Sequence, residues 1–398
     1  MFFMLCMRSV HITDSANQYA FGSFRVARRV CMVLAALILI PIAFWKSAGR
    51  PDLVFFLIFM GVSAGKIVDA LGEIYWGLYQ KDERMDLFAL ATGMRGVLMA
   101  VAFLLGPPVV WYLIYKQGAL STAFLGYGTV AAVILTAVFW AFVVWRLDIR
   151  YGRRMRYYNT AWSWAEVWTV LVKAFPLGIV ILLMTLTTSI PRWVIEATYG
   201  ENGFRYLGFF AALTYIVIAG NLITIQLGHA SSNRLALTYR ASLRRFLMLL
   251  VKLEAVACFV GISMLLVAHL CGEWLLRVCY GAEYAAYHSQ FMIIVVSQCF
   301  ALVSSILGFA TTQMRVFWFQ VFVWVLLCGV AWGFSVWLVP QDPIRGGAYS
   351  MLAVALAQLA AYAVAVLYGV LRRPTMLQRM RTEEGEKSGG EPPMDTGL

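Results

Sequence analysis

The feature that most constrains this sequence is a series of long apolar segments that recurs along nearly the whole chain. A helix needs about 20 predominantly apolar residues to cross the hydrocarbon core of a bilayer. Lipid offers no hydrogen-bond partner for the backbone, so a lipid-exposed segment must bond within itself. The pattern therefore predicts an all-α integral membrane protein.

Ten candidate spans lie between the charges and turn signals of the sequence. Their approximate limits are 28–46, 52–72, 90–115, 121–146, 164–189, 206–229, 247–271, 290–313, 316–339 and 347–371. Hydrophobic residues make up 62% of the chain and charged residues 13%. Soluble domains average about 45–50% and 25%, so a water-soluble fold could not bury this much apolar surface.

The positions of Lys and Arg agree with this set of spans. If the N-terminus is cytoplasmic, 21 of the 32 basic residues lie in cytoplasmic segments, seven lie outside and four lie within spans. This bias follows the positive-inside rule and predicts that both termini are cytoplasmic. The basic residues form no continuous arm interleaved with aromatic residues, so nucleic acid is not an expected partner.

A basic segment divides the spans into two groups. Residues 1–146 form an N-terminal helical lobe of about four spans, and residues 164–371 form a C-terminal lobe of six. Residues 147–163 form a cytoplasmic linker that ends in a predicted capping box, Ser163-x-x-Glu166. The polar residues 372–398, rich in Gly and Pro, are expected to be a disordered cytoplasmic tail.

The two predicted lobes are unequal. Many transporters consist of two structurally repeated halves. Four spans against six suggest that the first two helices of the pattern are absent. Residues 1–7, MFFMLCM, are apolar but too short to span, and resemble the end of a lost helix.

Charged residues on the second span share one helix face. Lys66, Asp69 and Glu73 are spaced at i, i+3 and i+7. Inserting a charged side chain near the centre of a span costs at least about 2.5–3.5 kcal/mol of free energy, so each such residue is a functional candidate. One interpretation is a Lys66–Asp69 pair that only neutralises itself near a helix end. The other is a polar stripe that lines a translocation path.

Three further cations are candidates for binding an anion. Arg95 and Lys173 have no evident partner nearby in the sequence. Facing a cavity, they would suit a phosphate group; the alternative is that they extend to the headgroups. Arg192 follows the polar run TLTTS and Pro191, where it would hold an anionic headgroup or close an outer gate, or else pair with Glu196 at i+4.

Signals for catalysis are weak. The segment from Gly61 to Ile67 is one residue short of a P-loop and lacks its hydroxyl residue, and the four histidines are isolated. The sequence therefore predicts no catalytic residue, no metal site and no cofactor. Glu254 is expected to pair with Arg244, Arg245 or Lys252 near the inner interface.

Several segments resemble a known family. They are VHITDSANQYAFGSFRVARR (10–29), DALGEIYWGLYQKDERMDLFAL (69–90), residues 175–236 with PRWVIE and AGNL, and CGEWLLRVCYGAEYAAY (271–287). They are similar to the polysaccharide and oligosaccharide (O-antigen type) flippases of the MATE-like superfamily, which also includes multidrug exporters. The resemblance covers residues 8–371.

The resemblance implies a MATE-like bundle of two lobes around a cationic cavity. It implies transport of polyprenyl-pyrophosphate-linked oligosaccharide from the inner to the outer leaflet of the bacterial cytoplasmic membrane. Membrane lipids and polysaccharide polymerase or export proteins are the further partners it suggests. The substrate-binding candidates are Lys66, Arg95, Lys173 and Arg192. The candidates for charge balance or ion coupling are Asp69, Glu73 and Glu196.

Three alternatives remain open at this point. A MATE-type exporter of small cations is disfavoured because a cavity with unpaired Lys and Arg would repel its cargo. A membrane enzyme, such as a glycan polymerase or ligase, usually needs a large outer loop, and the longest outer connection here is roughly 272–289. The third alternative is a structural partner within a polysaccharide assembly complex.

Overall fold

The computed structural model describes residues 5, 7–14, 18–48, 53–115 and 122–374. Within these ranges the chain is helical and contains no strand. It divides into an N-terminal unit that ends at Ala174 and a C-terminal unit that begins at Phe175. The predicted tail lies outside the described residues from 375 onward, as does most of the predicted helix remnant at 1–7.

The N-terminal unit is built around one central helix, α3. Its helices are α1 (Met7–Thr13), α2 (Phe21–Ala48), α3 (Leu53–Lys81), α4 (Met85–Tyr115) and α5 (Thr122–Val143). A π-helical turn (Val144–Asp148) and the short α6 (Ile149–Gly152) follow α5 without a break. Helix α3 packs against α1, α2 and α5, and α4 packs against α5. Side chains on α3 can therefore meet residues from every other long helix of this unit.

The C-terminal unit contains most of α7 (Trp164–Ala241) and the helices that follow it. These are α8 (Leu243–Tyr280), α9 (Ala282–Ala285), α10 (His288–Gln313), α11 (Phe317–Leu338) and α12 (Pro343–Leu371). Helix α10 packs against α8 and α12, and α11 packs against α12. The start of α12 is fixed locally, because the Asp342 carboxylate accepts hydrogen bonds from the backbone N–H groups of Ile344 and Arg345.

Helix α7 is interrupted twice. Gly200 has φ 54° and ψ −125°, which ends a first limb, Trp164–Gly200. The remainder forms two limbs, Gly203–Val217 and Gly220–Ala241, that are bent by 46°. The whole of α7 thus covers the two predicted spans 164–189 and 206–229.

The described helices support the membrane assignment. Six are long and apolar enough to cross a membrane: Phe21–Phe44 in α2, the first limb of α7, α8, α10, α11 and α12. The bent pair in α7 would be a seventh. Helices α3, α4 and α5 lie over the other three predicted spans. The prediction of an all-α, multi-pass membrane protein is confirmed.

The boundary between the units lies within α7, beyond the predicted linker at 147–163. The start of α7 is bound to the N-terminal unit, because Ser23 Oγ donates to Glu166 Oε2 at 2.6 Å. Ser163 Oγ accepts from the Glu166 N–H at 3.3 Å, which is one of the two bonds of the predicted capping box. The Glu166 carboxylate thus links α7 to α2.

Candidate functional site

The buried carboxylate of Asp69, on α3, is the centre of a polar cluster. Arg95 on α4 donates through Nη2 to Asp69 Oδ2, and Trp140 on α5 donates through Nε1 to Oδ1 at 2.9 Å. Lys66, one turn earlier on α3, places Nζ 3.8 Å from Oδ2. Because α3 packs against α5 and α4 packs against α5, these three helices bring the four side chains together.

The cluster carries one excess positive charge, since two cations share one carboxylate. Asp69 is almost fully enclosed, whereas the side chains of Lys66 and Arg95 are 47% and 26% exposed. The excess charge therefore lies on the accessible side. Within the described parts of the chain, no group of three or more His, Cys, Asp or Glu residues could hold a metal ion.

A cavity of about 70 Å³ lies beside the cluster, lined by all four of its side chains and by apolar residues of α3, α4 and α5. We call it the α3–α5 cavity. At Gly61 a Cβ would come within 2.8 Å of the Val133 side chain, so α3 packs closely on α5 there. At Gly65 a Cβ would meet nothing within 4 Å, so one turn later the wall is open.

Two features of this cluster differ from the sequence interpretation. Arg95 has no evident partner nearby in the sequence, and in the structure it pairs with Asp69 on another helix. The pair joins residues 26 positions apart on different helices, which local spacing cannot indicate. Trp140 was not a candidate at all. The sequence feature that could have identified Trp140 is its position inside a predicted span, where a buried indole N–H needs an acceptor.

Glu73 binds a different pair of helices from Asp69. Its carboxylate lies 3.1 Å from Nη2 of Arg28 on α2, which is fully buried, and 3.8 Å from Nε of Arg8 on α1. The predicted stripe on α3 therefore divides, with Asp69 contacting α4 and α5 and Glu73 contacting α1 and α2. In this structure Glu73 balances Arg8 and Arg28.

Lys173 belongs to the N-terminal unit as well. Its side chain is half-buried, and Nζ lies 5.2 Å from the centre of the Tyr19 ring. This is the geometry of a cation–π contact. Pro176 follows within the same helical limb, and α7 continues as a helix through it.

Arg192 and Glu196 lie in the C-terminal unit. The Arg192 guanidinium carbon is 5.8 Å from the centre of the Tyr215 ring, and its Nε is buried without a hydrogen-bond partner among the described residues. Glu196 is exposed. The ion pairs found in the described ranges do not include the alternative Arg192–Glu196 pair.

Glu254 on α8 is a buried acid that the sequence assigned to an ion pair. Both of its carboxylate oxygens are buried without a hydrogen-bond partner among the described residues. The expected pairing with Arg244, Arg245 or Lys252 is wrong, because Lys252 and Arg245 project about 160–180° away around the helix axis. Arg244 lies almost three turns before Glu254, beyond the reach of a direct pair.

One curated protein is similar over most of the sequence. The chain is 25% identical over 361 residues to the capsular polysaccharide biosynthesis protein CapF of Staphylococcus aureus, and the match covers 88% of this chain and 83% of CapF. No protein-family model matches the sequence.

Three solved structures of MATE or MOP superfamily proteins have a similar fold. An inward-facing multidrug resistance MATE family transporter of the MOP superfamily matches with a TM-score of 0.62 and 14% identity, over 95% of this chain and 89% of its own. A MOP superfamily transporter from Pyrococcus furiosus matches with a TM-score of 0.61 and 13% identity, over 94% and 86%. A MATE complex with MaL6 matches with a TM-score of 0.61 and 14% identity, over 95% and 87%.

Proposed function

From the premise that the chain is a multi-pass membrane protein with the MATE-like fold and a relative named for polysaccharide biosynthesis, we propose that it is a flippase. Its substrate is a polyprenyl-pyrophosphate-linked oligosaccharide. It moves this substrate from the inner to the outer leaflet of a bacterial cytoplasmic membrane by alternating access. The observation that carries the proposal is the cluster in which Lys66 and Arg95 share the single carboxylate of Asp69.

This cluster has the chemistry of an anion site. A guanidinium offers planar, paired N–H donors to a phosphate, and an ammonium acts as a compact point charge. Asp69 holds both cations in position, and its remaining oxygen is held by Trp140. Because one positive charge is left over, an entering phosphate gains attraction without finding an unpaired carboxylate. A cationic cargo would be repelled, which argues against the small-cation exporter.

The fold suits a substrate with a lipid tail and a polar head. Moving a pyrophosphate through hydrocarbon would require removing its hydration without compensation. The charged cluster beside the α3–α5 cavity supplies partners for the pyrophosphate, while the polyprenyl chain remains in lipid. Lys173 and Arg192 are then further candidates for contacting the head group, and Glu196 for charge balance or ion coupling.

The charged residues of the outer connections do not support the alternative of a membrane enzyme. Arg277 forms an exposed ion pair with Glu273 at 2.9 Å, and Arg205 forms one with Glu283 at 3.4 Å. These four residues near the end of α8 form two separate ion pairs at the surface. They do not converge on a buried pocket, as the acid and base of an active site would.

The proposal is tested in a flippase-deficient bacterial strain that depends on this chain for surface polysaccharide. Arg95→Gln removes the excess charge, so export should fall about tenfold or more while lipid-linked oligosaccharide accumulates. The matched control is Arg84→Gln, which breaks an exposed ion pair with Asp86 away from the cavity. Membrane abundance is measured for all three proteins. Normal export by Arg95→Gln at equal abundance would overturn the assignment.

A further inference from the structure

The segment after α5 carries five arginines within eleven residues. All five side chains are exposed, and we call them the arginine surface: Arg146, Arg150, Arg153, Arg154 and Arg156. They lie on the π-helical turn, on α6 and on the bend that follows α6. They all belong to the N-terminal unit.

Among the described residues, no carboxylate forms an ion pair with this surface. The one acid in the segment 144–163 is Asp148, which is 1% exposed and accepts a hydrogen bond from Tyr79 Oη at 3.1 Å. Asp82 accepts from the backbone N–H of Arg156 at 2.9 Å, not from its guanidinium. None of the five guanidinium groups forms an ion pair within the described ranges. The solvent side of the segment is therefore wholly basic.

Aromatic rings position several of these arginines and leave their N–H groups free. The Arg146 guanidinium carbon lies 5.8 Å from the Trp145 ring centre. Arg154 lies 6.0 Å from the ring of Tyr151, which is part of α6. A cation–π contact uses the face of the guanidinium and consumes none of its donors. The donors remain available to an anion.

The arginine surface follows directly on a predicted membrane span. It joins the end of α5 at Val143 to the start of α7 at Trp164, and both helices lie over predicted spans. Exposed tryptophans flank it on both sides: Trp145, Trp162, Trp164 and Trp168. Tryptophan is enriched at the boundary between membrane and water, where an amphipathic ring is stable.

We propose that the arginine surface binds the phosphate groups of anionic phospholipids in the adjoining leaflet. The charges are complementary, the donors are free, and the flanking tryptophans place them at the depth of the phosphates. Clusters of four to eight basic residues next to a membrane helix attract anionic lipid in this way. The site is separate from the α3–α5 cavity and does not depend on the proposed transport activity.

The test compares two adjacent pairs of exposed arginines in the full chain. Arg153→Gln/Arg154→Gln removes two charges from the arginine surface, and Arg244→Gln/Arg245→Gln removes two from the start of α8. Each purified protein is titrated with phosphatidylglycerol and with phosphatidylcholine, and bound lipid is measured by native mass spectrometry. The wild type should prefer phosphatidylglycerol about tenfold, and this preference should weaken at high salt.

The outcomes distinguish a specific lipid-binding site from nonspecific electrostatic attraction of anionic lipid. The proposal holds if the first pair of substitutions removes most of the preference and the second pair leaves it near the wild-type value. It is overturned if the wild type shows no preference, or if both pairs lose it equally, because net charge alone would then explain binding. Displacement of phosphatidylglycerol by equimolar undecaprenyl pyrophosphate in the wild type, but not in the first variant, would identify the substrate as the occupant and also overturn it.

Discussion

At the scale of single residues, the proposed anion site depends on how Asp69 is held between α3, α4 and α5. Its carboxylate accepts hydrogen bonds from Arg95 and Trp140 and forms an ion pair with Lys66 at 3.8 Å. A buried carboxylate is tolerated when its oxygens are hydrogen-bonded, and losing one partner leaves an uncompensated charge. Trp140 donates to Oδ1, while Arg95 and Lys66 both contact Oδ2.

Trp140→Phe should destabilise the protein by about 1–3 kcal/mol, because it deletes the indole donor to Asp69 and retains most of the ring packing. The measurement is the thermal unfolding midpoint of the purified protein in detergent. Trp145→Phe is the control, since Trp145 lies at the exposed end of the same helical stretch. Equal midpoints for the two variants would show that the bond from Trp140 contributes no stability.

Asp148 is a buried acid that lies beyond the predicted span. Burial raises the pKa of this carboxyl to about 7, although the hydrogen bond from the Tyr79 hydroxyl lowers it. Between about pH 4 and pH 7, the folded protein therefore holds a proton on Asp148 that the unfolded chain has lost. The stability this contributes is complete below about pH 4 and is lost as pH rises through about 7.

The thermal unfolding midpoint of the wild type should therefore decrease as pH rises from 5 to 8. Asp148→Asn should reduce this dependence because an amide does not titrate, and its oxygen can still accept from Tyr79. Asp86→Asn is the control. The adjacent Arg84 lowers the pKa of Asp86 to about 2, so this group does not titrate in that range. A wild-type midpoint independent of pH, or the same slope in Asp148→Asn, would contradict the assignment.

Sequence spacing could predict contacts within one helix but not those between helices. The Lys66–Asp69 pair follows from a separation of three residues on α3. The pair between Arg95 and Asp69 depends on how α3 and α4 are rotated about their own axes, which packing decides. The same holds for Glu73, whose partners Arg8 and Arg28 lie 65 and 45 residues earlier.

At the scale of elements, α7 is the helix whose course matters most. The break at Gly200 uses a positive φ with ψ near −125°, a region that is essentially restricted to glycine. The sequence predicted two spans at 164–189 and 206–229 because charges separate the apolar runs. It could not predict that residues 190–199 continue the first helix, since both a helix and a loop accommodate that composition.

Gly200→Ala should lower stability by about 1–3 kcal/mol, because a Cβ is strained at this backbone conformation. The thermal unfolding midpoint is the measurement. Gly208→Ala is the control, since Gly208 has an ordinary helical conformation and open space around it. If Gly200→Ala unfolds at the wild-type temperature, the helix does not break at this residue.

At the scale of the whole molecule, the fold class could be read from the sequence with few assumptions. Apolar segments of membrane length must be helical in lipid, so hydropathy alone indicates an all-α membrane protein. The unit boundary could not be predicted in the same way. It depends on side-chain contacts such as Ser23 to Glu166, which bind the start of α7 to the N-terminal unit.

The most direct measurement is translocation by the purified full chain in proteoliposomes. Polyprenyl-pyrophosphate-linked oligosaccharide is supplied to one leaflet, and its arrival in the other is followed with a membrane-impermeant glycosidase. We predict transfer by the wild type and by Arg84→Gln, and about tenfold or greater loss in Arg95→Gln. No transfer above protein-free liposomes by the wild type, or equal transfer by all three proteins, would contradict the account.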